Sequence, residues 1–145
     1  MTDGRREQIL AAAEDLTRGM QDNDADVLGA VYSSDAIVWH NTDRRDASIG
    51  ELLDVVRVLR QRGSCSMRVD ERFVIDVGFL QTHTASYRFD SGATTEVQAA
   101  LLAWVDDDGR ITRVKEYLDS EALAPLIAAV TAEAAETAEP LAPGV

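Results

Sequence analysis

The sequence predicts an α+β domain in which helices wrap a strongly curved, mostly antiparallel sheet to form a cone with a pocket in it. Three observations carry this. Apolar residues recur at spacings of three and four before Gly63, strand-like stretches follow after it, and turn signals separate those stretches. A chain of 145 residues that is 46% hydrophobic can fill one core without disulfides or a structural metal. One domain is therefore expected over residues 1–130, followed by an Ala/Glu/Pro-rich tail over 131–145 that buries little and is expected to be disordered.

The elements follow in order. Ile9, Ala12, Ala13, Leu16 and Met20 form one stripe of an amphipathic helix running from about Arg5 to Met20. Gln21-Asp22-Asn23-Asp24 interrupts it, and Val27, Leu28, Val31 and Tyr32 continue as a short second helix. Ala36-Ile37-Val38-Trp39-His40 is β-branched and aromatic and reads as a strand. Ser48-Ile49-Gly50-Glu51 has the form of a capping box, and the helix it opens stops at Gly63. Met67–Val77, Phe79–Phe89, Glu96–Val105 and Ile111–Leu118 read as strands, with hairpins at Asp90-Ser91-Gly92 and Asp106-Asp107-Asp108-Gly109. A last helix starts with Ser120 as its N-cap and runs through Leu123, Leu126, Ile127 and Val130.

Composition excludes several functions. A net charge of −12 repels phosphate backbones and anionic lipid, so neither nucleic acid nor a membrane is expected as partner. Cys65 is the only cysteine, which rules out an intrachain disulfide and multi-thiolate zinc. No apolar run spans a bilayer and the first residues lack a signal-peptide core, so a soluble cytoplasmic protein is expected. The acidic hairpin resembles a calcium loop only superficially. With Gly109 as the loop glycine, Trp104 and Lys115 fall on ligand positions, and no metal site is expected.

Alternation along the strands sorts the candidate residues. Phe79, Gln81, His83, Ala85, Tyr87 and Phe89 share one face, the more apolar one. His83 is thus either a hydrogen-bonded core histidine or a pocket residue, and His40 either a strand-end residue or an acid/base. Tyr117 shares parity with Asp119, so both are expected in one cavity, with Glu116 facing elsewhere. Asp119 can equally be a helix cap beside Ser120.

Three stretches, Tyr32-Ser33-Ser34-Asp35-Ala36-Ile37-Val38-Trp39-His40-Asn41, Gly78-Phe79-Leu80-Gln81-Thr82-His83 and Asp108-Gly109-Arg110-Ile111-Thr112-Arg113-Val114-Lys115-Glu116-Tyr117-Leu118-Asp119, resemble in order and context the SnoaL-like, nuclear-transport-factor-2-like superfamily. Ketosteroid isomerase, limonene-epoxide hydrolase and polyketide cyclases are relatives there. The resemblance covers about residues 5–125 and implies a cystatin-like α+β barrel with a hydrophobic pocket. It places His40 where the isomerases carry their carboxylate base. It places Leu16 and Leu101 where they carry oxyanion-hole donors, so that type of isomerisation is not expected. Against the epoxide hydrolases, Asp119 matches the final Asp of an Asp-Arg-Asp set, while the Arg falls near His83 and the other Asp near Ala85. Asn41 and Trp39 would stand for the residues that hold the water.

The set that remains is His40, His83 and Asp119 as catalytic residues, with Trp39, Asn41, Tyr117, Leu16 and Leu101 around the substrate. The function it implies is a cyclase, isomerase or lyase that uses no cofactor on a hydrophobic small molecule. The alternatives are a non-catalytic binding or dimerisation module of the same fold, and a divergent epoxide hydrolase. A homodimer is also expected, because the resemblance implies that the outer sheet face, with Leu102 and Trp104, packs on a second copy.

Overall fold

A computed structural model of the chain describes residues 1–137. Its elements are α1 (Asp3–Gln21), α2 (Ala25–Val31), β1 (Tyr32–His40), β2 (Asp46–Ser48), α3 (Ile49–Arg62), β3 (Gly63–Ile75), β4 (Gly78–Phe89), β5 (Thr94–Val105), β6 (Ile111–Leu118) and α4 (Ser120–Thr137). The six strands form one curved sheet in the order β2-β1-β6-β5-β4-β3. β1 and β6 run parallel and every other pair is antiparallel. Among the described residues no strand pairs with the outer edge of β2 or of β3, so the expected barrel is an open, curved sheet.

Local chemistry accounts for the helix boundaries. Asp24 accepts from the backbone of Asp26 and Val27 to start α2. The Ser48/Glu51 capping box starts α3, with Arg60 and Arg62 in its last turn. At the end of α3 the chain passes straight into β3, four residues earlier than the apolar pattern suggested. Gly63 lies so close to the Arg88 carbonyl on β4 that a Cβ would collide with it. The sequence also gave no sign of β2, because three residues with no apolar alternation leave no period to read. α4 extends past Val130 to Thr137, carrying helix into the stretch expected as tail. Residues 138–145, the rest of that stretch, lie outside the described residues.

Strand register fixes what each row of the sheet presents to the interior. Phe79 opposes Ala103, Ala103 opposes Val114, and Val114 opposes Val38. α1 presses Ile9, Ala12 and Ala13 onto this row, giving a core that also takes in Leu28, Val31, Val105 and Ile111. Each large side chain buried here contributes roughly 1.5–3 kcal/mol. A second cluster forms where α4 lays Leu126 against Leu59, Phe89 and Val97. Two residues along the same strands, the interior row reads Arg72, Gln81, Leu101, Glu116 and His40. Leu101, Glu116 and His40 of this row border a cavity.

Candidate active site

A cavity of about 350 Å³ lies inside the cone at that second row. Apolar side chains from all four helices wall it, among them Leu16, Leu28, Leu52, Val56, Leu126 and Val130. Thr42, Asp43, Arg45 and Glu51 stand at its rim, where the Arg45 guanidinium donates to the Glu51 carboxylate at 3.0 Å and so leaves no spare positive charge. The titratable groups are concentrated on the sheet. Glu116 Oε1 is 3.6 Å from His40 Nε2, and Glu116 Oε2 is 3.9 Å from His83 Nε2. Both separations exceed a hydrogen bond, so one carboxylate sits between two imidazoles with room for a ligand to tighten the arrangement. The Glu116 side chain is 8% exposed, that of His83 2% and that of His40 26%, so His40 is the member nearest solvent.

The two imidazoles are pushed apart in acidity. Burial pulls His40 down, but the facing Glu116 carboxylate and the Asp43 charge outweigh it, and its pKa lies above the ordinary value. At His83 burial dominates over the attraction of Glu116 and Asp70, and the pKa lies below the ordinary value. Near neutrality His40 is therefore the protonatable partner and His83 the neutral one. Tyr32, at the cavity wall, is held firmly as a phenol, first by burial and then by Glu116. Among the described residues no group of three His, Cys, Asp or Glu is arranged to hold a metal ion.

Behind His83 runs a polar chain. Gln81 Nε2 donates to His83 Nδ1 at 3.3 Å, and Arg72 Nε donates to Gln81 Oε1 at 2.9 Å. The second arm of Arg72 donates to Thr17 Oγ1 at 3.0 Å, while the Thr17 hydroxyl donates to the Ala13 carbonyl. The guanidinium is thereby tied to α1.

Of the residues expected from the sequence, His40, His83, Leu16 and Leu101 line this cavity. Asp119, Trp39, Asn41 and Tyr117 do not. Asp119 accepts from the backbone of Glu121 and Ala122 and caps α4, the place expected for Ser120. Asn41 extends the pairing of β1 and β6 with its side chain, accepting from Leu118 N at 2.8 Å and donating to Leu118 O at 3.2 Å. It thus holds the strand that carries Glu116. Trp39 and Tyr117 pack ring against ring at 5.4 Å on the outer face of the sheet. The expectation for Glu116 is reversed. Parity with Asp119 predicts the opposite face, but β6 ends at Leu118, and beyond a strand end alternation carries no information. Val114 and Leu118, buried or half-buried at two residues on either side, are the signal that places Glu116 inward.

The curved sheet, the helices wrapping it and the cavity at its wide end define the SnoaL-like, nuclear-transport-factor-2-like fold. Among solved structures the chain is similar to PrhC from Penicillium brasilianum, with a TM-score of 0.76 at 14% identity over 92% of this chain and 94% of that one. The BvnE pinacolase from Penicillium brevicompactum matches with a TM-score of 0.74 at 14% identity, over 89% and 98%. An LEH-like epoxide hydrolase from M. tuberculosis matches with a TM-score of 0.69 at 17% identity, over 90% and 98%. At these identities the likeness is one of fold. No protein-family model matches the chain, and no curated protein matches its sequence. The Asp-Arg-Asp set expected for an epoxide hydrolase is not assembled, with His83 and Ala85 at two of its positions and Asp119 turned to α4.

Proposed function

We propose that this protein is an acid/base enzyme acting on a neutral, hydrophobic small molecule, of the cyclase, isomerase or lyase kind, with the His40–Glu116 pair as its proton-transfer centre. The observation that supports it is one buried carboxylate held between two imidazoles of opposite pKa displacement on the floor of an otherwise apolar cavity. Pairs of titratable groups pushed apart in this way let one group accept a proton while the other stays fixed in form. His40 takes or returns the proton at the more open side of the floor. Glu116 stabilises the imidazolium that results. Apolar walls exclude water and strengthen both interactions. General acid–base participation of this kind is worth about 10²–10⁴-fold in rate. No group from a cofactor is required by this step, since the acidic C–H belongs to the substrate.

The test uses deuterium uptake from D2O next to the carbonyl of 2-decalone, a neutral apolar ketone, followed by proton NMR. The wild type is expected to catalyse uptake, and His40→Gln and Glu116→Gln are each expected to slow it by about 10²-fold or more while still folding and unfolding cooperatively. Uptake equal in all three proteins contradicts the assignment. Tight ketone binding with no uptake favours the non-catalytic binding module.

A further inference from the structure

We infer that Arg72, acting through Gln81, fixes His83 as the tautomer that carries its proton on Nε2, making His83 a neutral hydrogen-bond donor for an oxygen atom of the ligand. The direction of the chain follows from what each group is able to do. A guanidinium has only donors, so the Gln81 atom facing Arg72 Nε at 2.9 Å is the carbonyl oxygen. The other end of the amide is then NH2, and it faces His83 Nδ1 at 3.3 Å. A nitrogen that receives an N–H is a lone-pair nitrogen, so the proton of the neutral ring resides on Nε2. Arg72 is itself held in place, because Thr17 donates its hydroxyl proton to the Ala13 carbonyl and so offers Arg72 only lone pairs.

Two features carry this beyond a structural hydrogen bond. His83 Nε2 lies 3.9 Å from Glu116 Oε2, beyond hydrogen-bond reach, and the residue lines the cavity, which leaves the N–H for an acceptor atom of a ligand that enters beside Glu116. The charges around the ring are Glu116 on β6 and Asp70 on the β3 bulge, both of which favour the cation, and burial overrides them. The donor is therefore neutral. A neutral donor deep in an apolar cavity selects a ligand with an acceptor oxygen, a ketone or an ester carbonyl, over a hydrocarbon of the same shape. Arg72 and Gln81 are positioning residues for that contact. The use of the contact rests on the acid/base reading above, but the tautomer is readable without turnover.

The experiment records long-range proton–nitrogen NMR spectra of protein labelled with ¹⁵N-histidine. The chain has two histidines, and His40→Gln assigns them. Wild-type His83 is expected to show a protonated Nε2 and an unprotonated Nδ1 near neutral pH. Gln81→Glu replaces the donor by an acceptor, which moves the proton to Nδ1. Arg72→Met frees the amide to turn, leaving both tautomers populated. In a binding titration the wild type is expected to hold 2-decalone about tenfold more tightly than decalin, as one hydrogen bond allows. Gln81→Glu loses that preference. A wild-type spectrum with the proton on Nδ1 overturns the inference whether or not the variants fold. So does a tautomer unchanged in a folded Gln81→Glu. Absent deuterium uptake with the Nε2–H tautomer present removes the acid/base reading and leaves the donor assignment standing.

Discussion

Two neighbouring rows of the same four strands behave in opposite ways. Phe79 and Ala103 of the first row pack with Ile9, Ala12 and Ala13 in the core and line no cavity, whereas Leu101, Glu116 and His40 of the second row line it, together with His83 and Ala99 in the row beyond. α1 reaches both rows, but with different side chains: Ile9, Ala12 and Ala13 join the core at the first, while Leu16 borders the cavity at the second. The polar and titratable groups Gln81, Glu116, His40 and His83 all lie beyond the first row, in the second row and the next. The first row supplies stability and the second can therefore carry chemistry at the expense of packing.

The largest expected effect lies in the first row. Phe79→Ala removes a fully buried ring and should lower stability by about 3–5 kcal/mol in urea unfolding. In the open region Ala99→Leu adds volume where the cavity has room, since Ala99 lines it opposite His83. It should change stability by less than about 1.5 kcal/mol while weakening binding of the neutral fluorophore N-phenyl-1-naphthylamine about tenfold. Equal destabilisation by both substitutions would show that the core at Phe79 and the cavity wall at Ala99 are packed alike.

The two histidines sharpen the comparison through pH. The folded pKa of His40 is raised, so its stabilising contribution is fully present below the unfolded value near 6.5 and is lost as pH rises through the higher folded pKa. That of His83 is lowered, so the unfolded chain binds the extra proton first, and stability is lost as pH falls below about 6.5 toward the folded value. Relative to wild type, His40→Gln should therefore cost more stability at pH 5 than at pH 8, and His83→Gln less at pH 5 than at pH 8. The change in cost with pH should thus have opposite signs for the two variants. Denaturant melts at the two pH values check them, and parallel behaviour of the two variants would contradict the opposed environments.

The smallest expected effect on the cavity comes from the outer face, where Phe73, Leu80, Leu102 and Trp39 share one row. Phe73 is 55% exposed and Leu80 41%, which is costly for a lone molecule. We propose that a second copy covers them. Light scattering should give about twice the 15.8 kDa chain mass for wild type and the single-chain mass for Leu80→Glu. The histidine titrations should not change.

Much of this was legible from periodicity and turn chemistry. The helix stripe from Ile9 to Met20, the Ser48/Glu51 box and the glycine turns each encode structure within a few residues, so α1, α3 and the hairpins could be read directly. His40, His83, Leu16 and Leu101 were placed around one cavity by strand alternation together with a family resemblance. The inward face of Glu116 is encoded by Val114 and Leu118 beside it and not by Asp119, which lies beyond the strand. Arg72 and Gln81 carry no such signal. Their partnership is set by the register of β3 on β4, which shifts at the bulge between Val69 and Glu71, and no local pattern announces that shift.

The central claim is that Glu116 makes His40 the proton-transfer group, and an NMR titration of the His40 ring in wild type and in Glu116→Gln tests it most directly. In wild type the pKa should lie above the ordinary histidine value near 6.5. Without the carboxylate, burial should prevail and carry it downward relative to wild type. A His40 pKa identical in the two proteins would contradict the account.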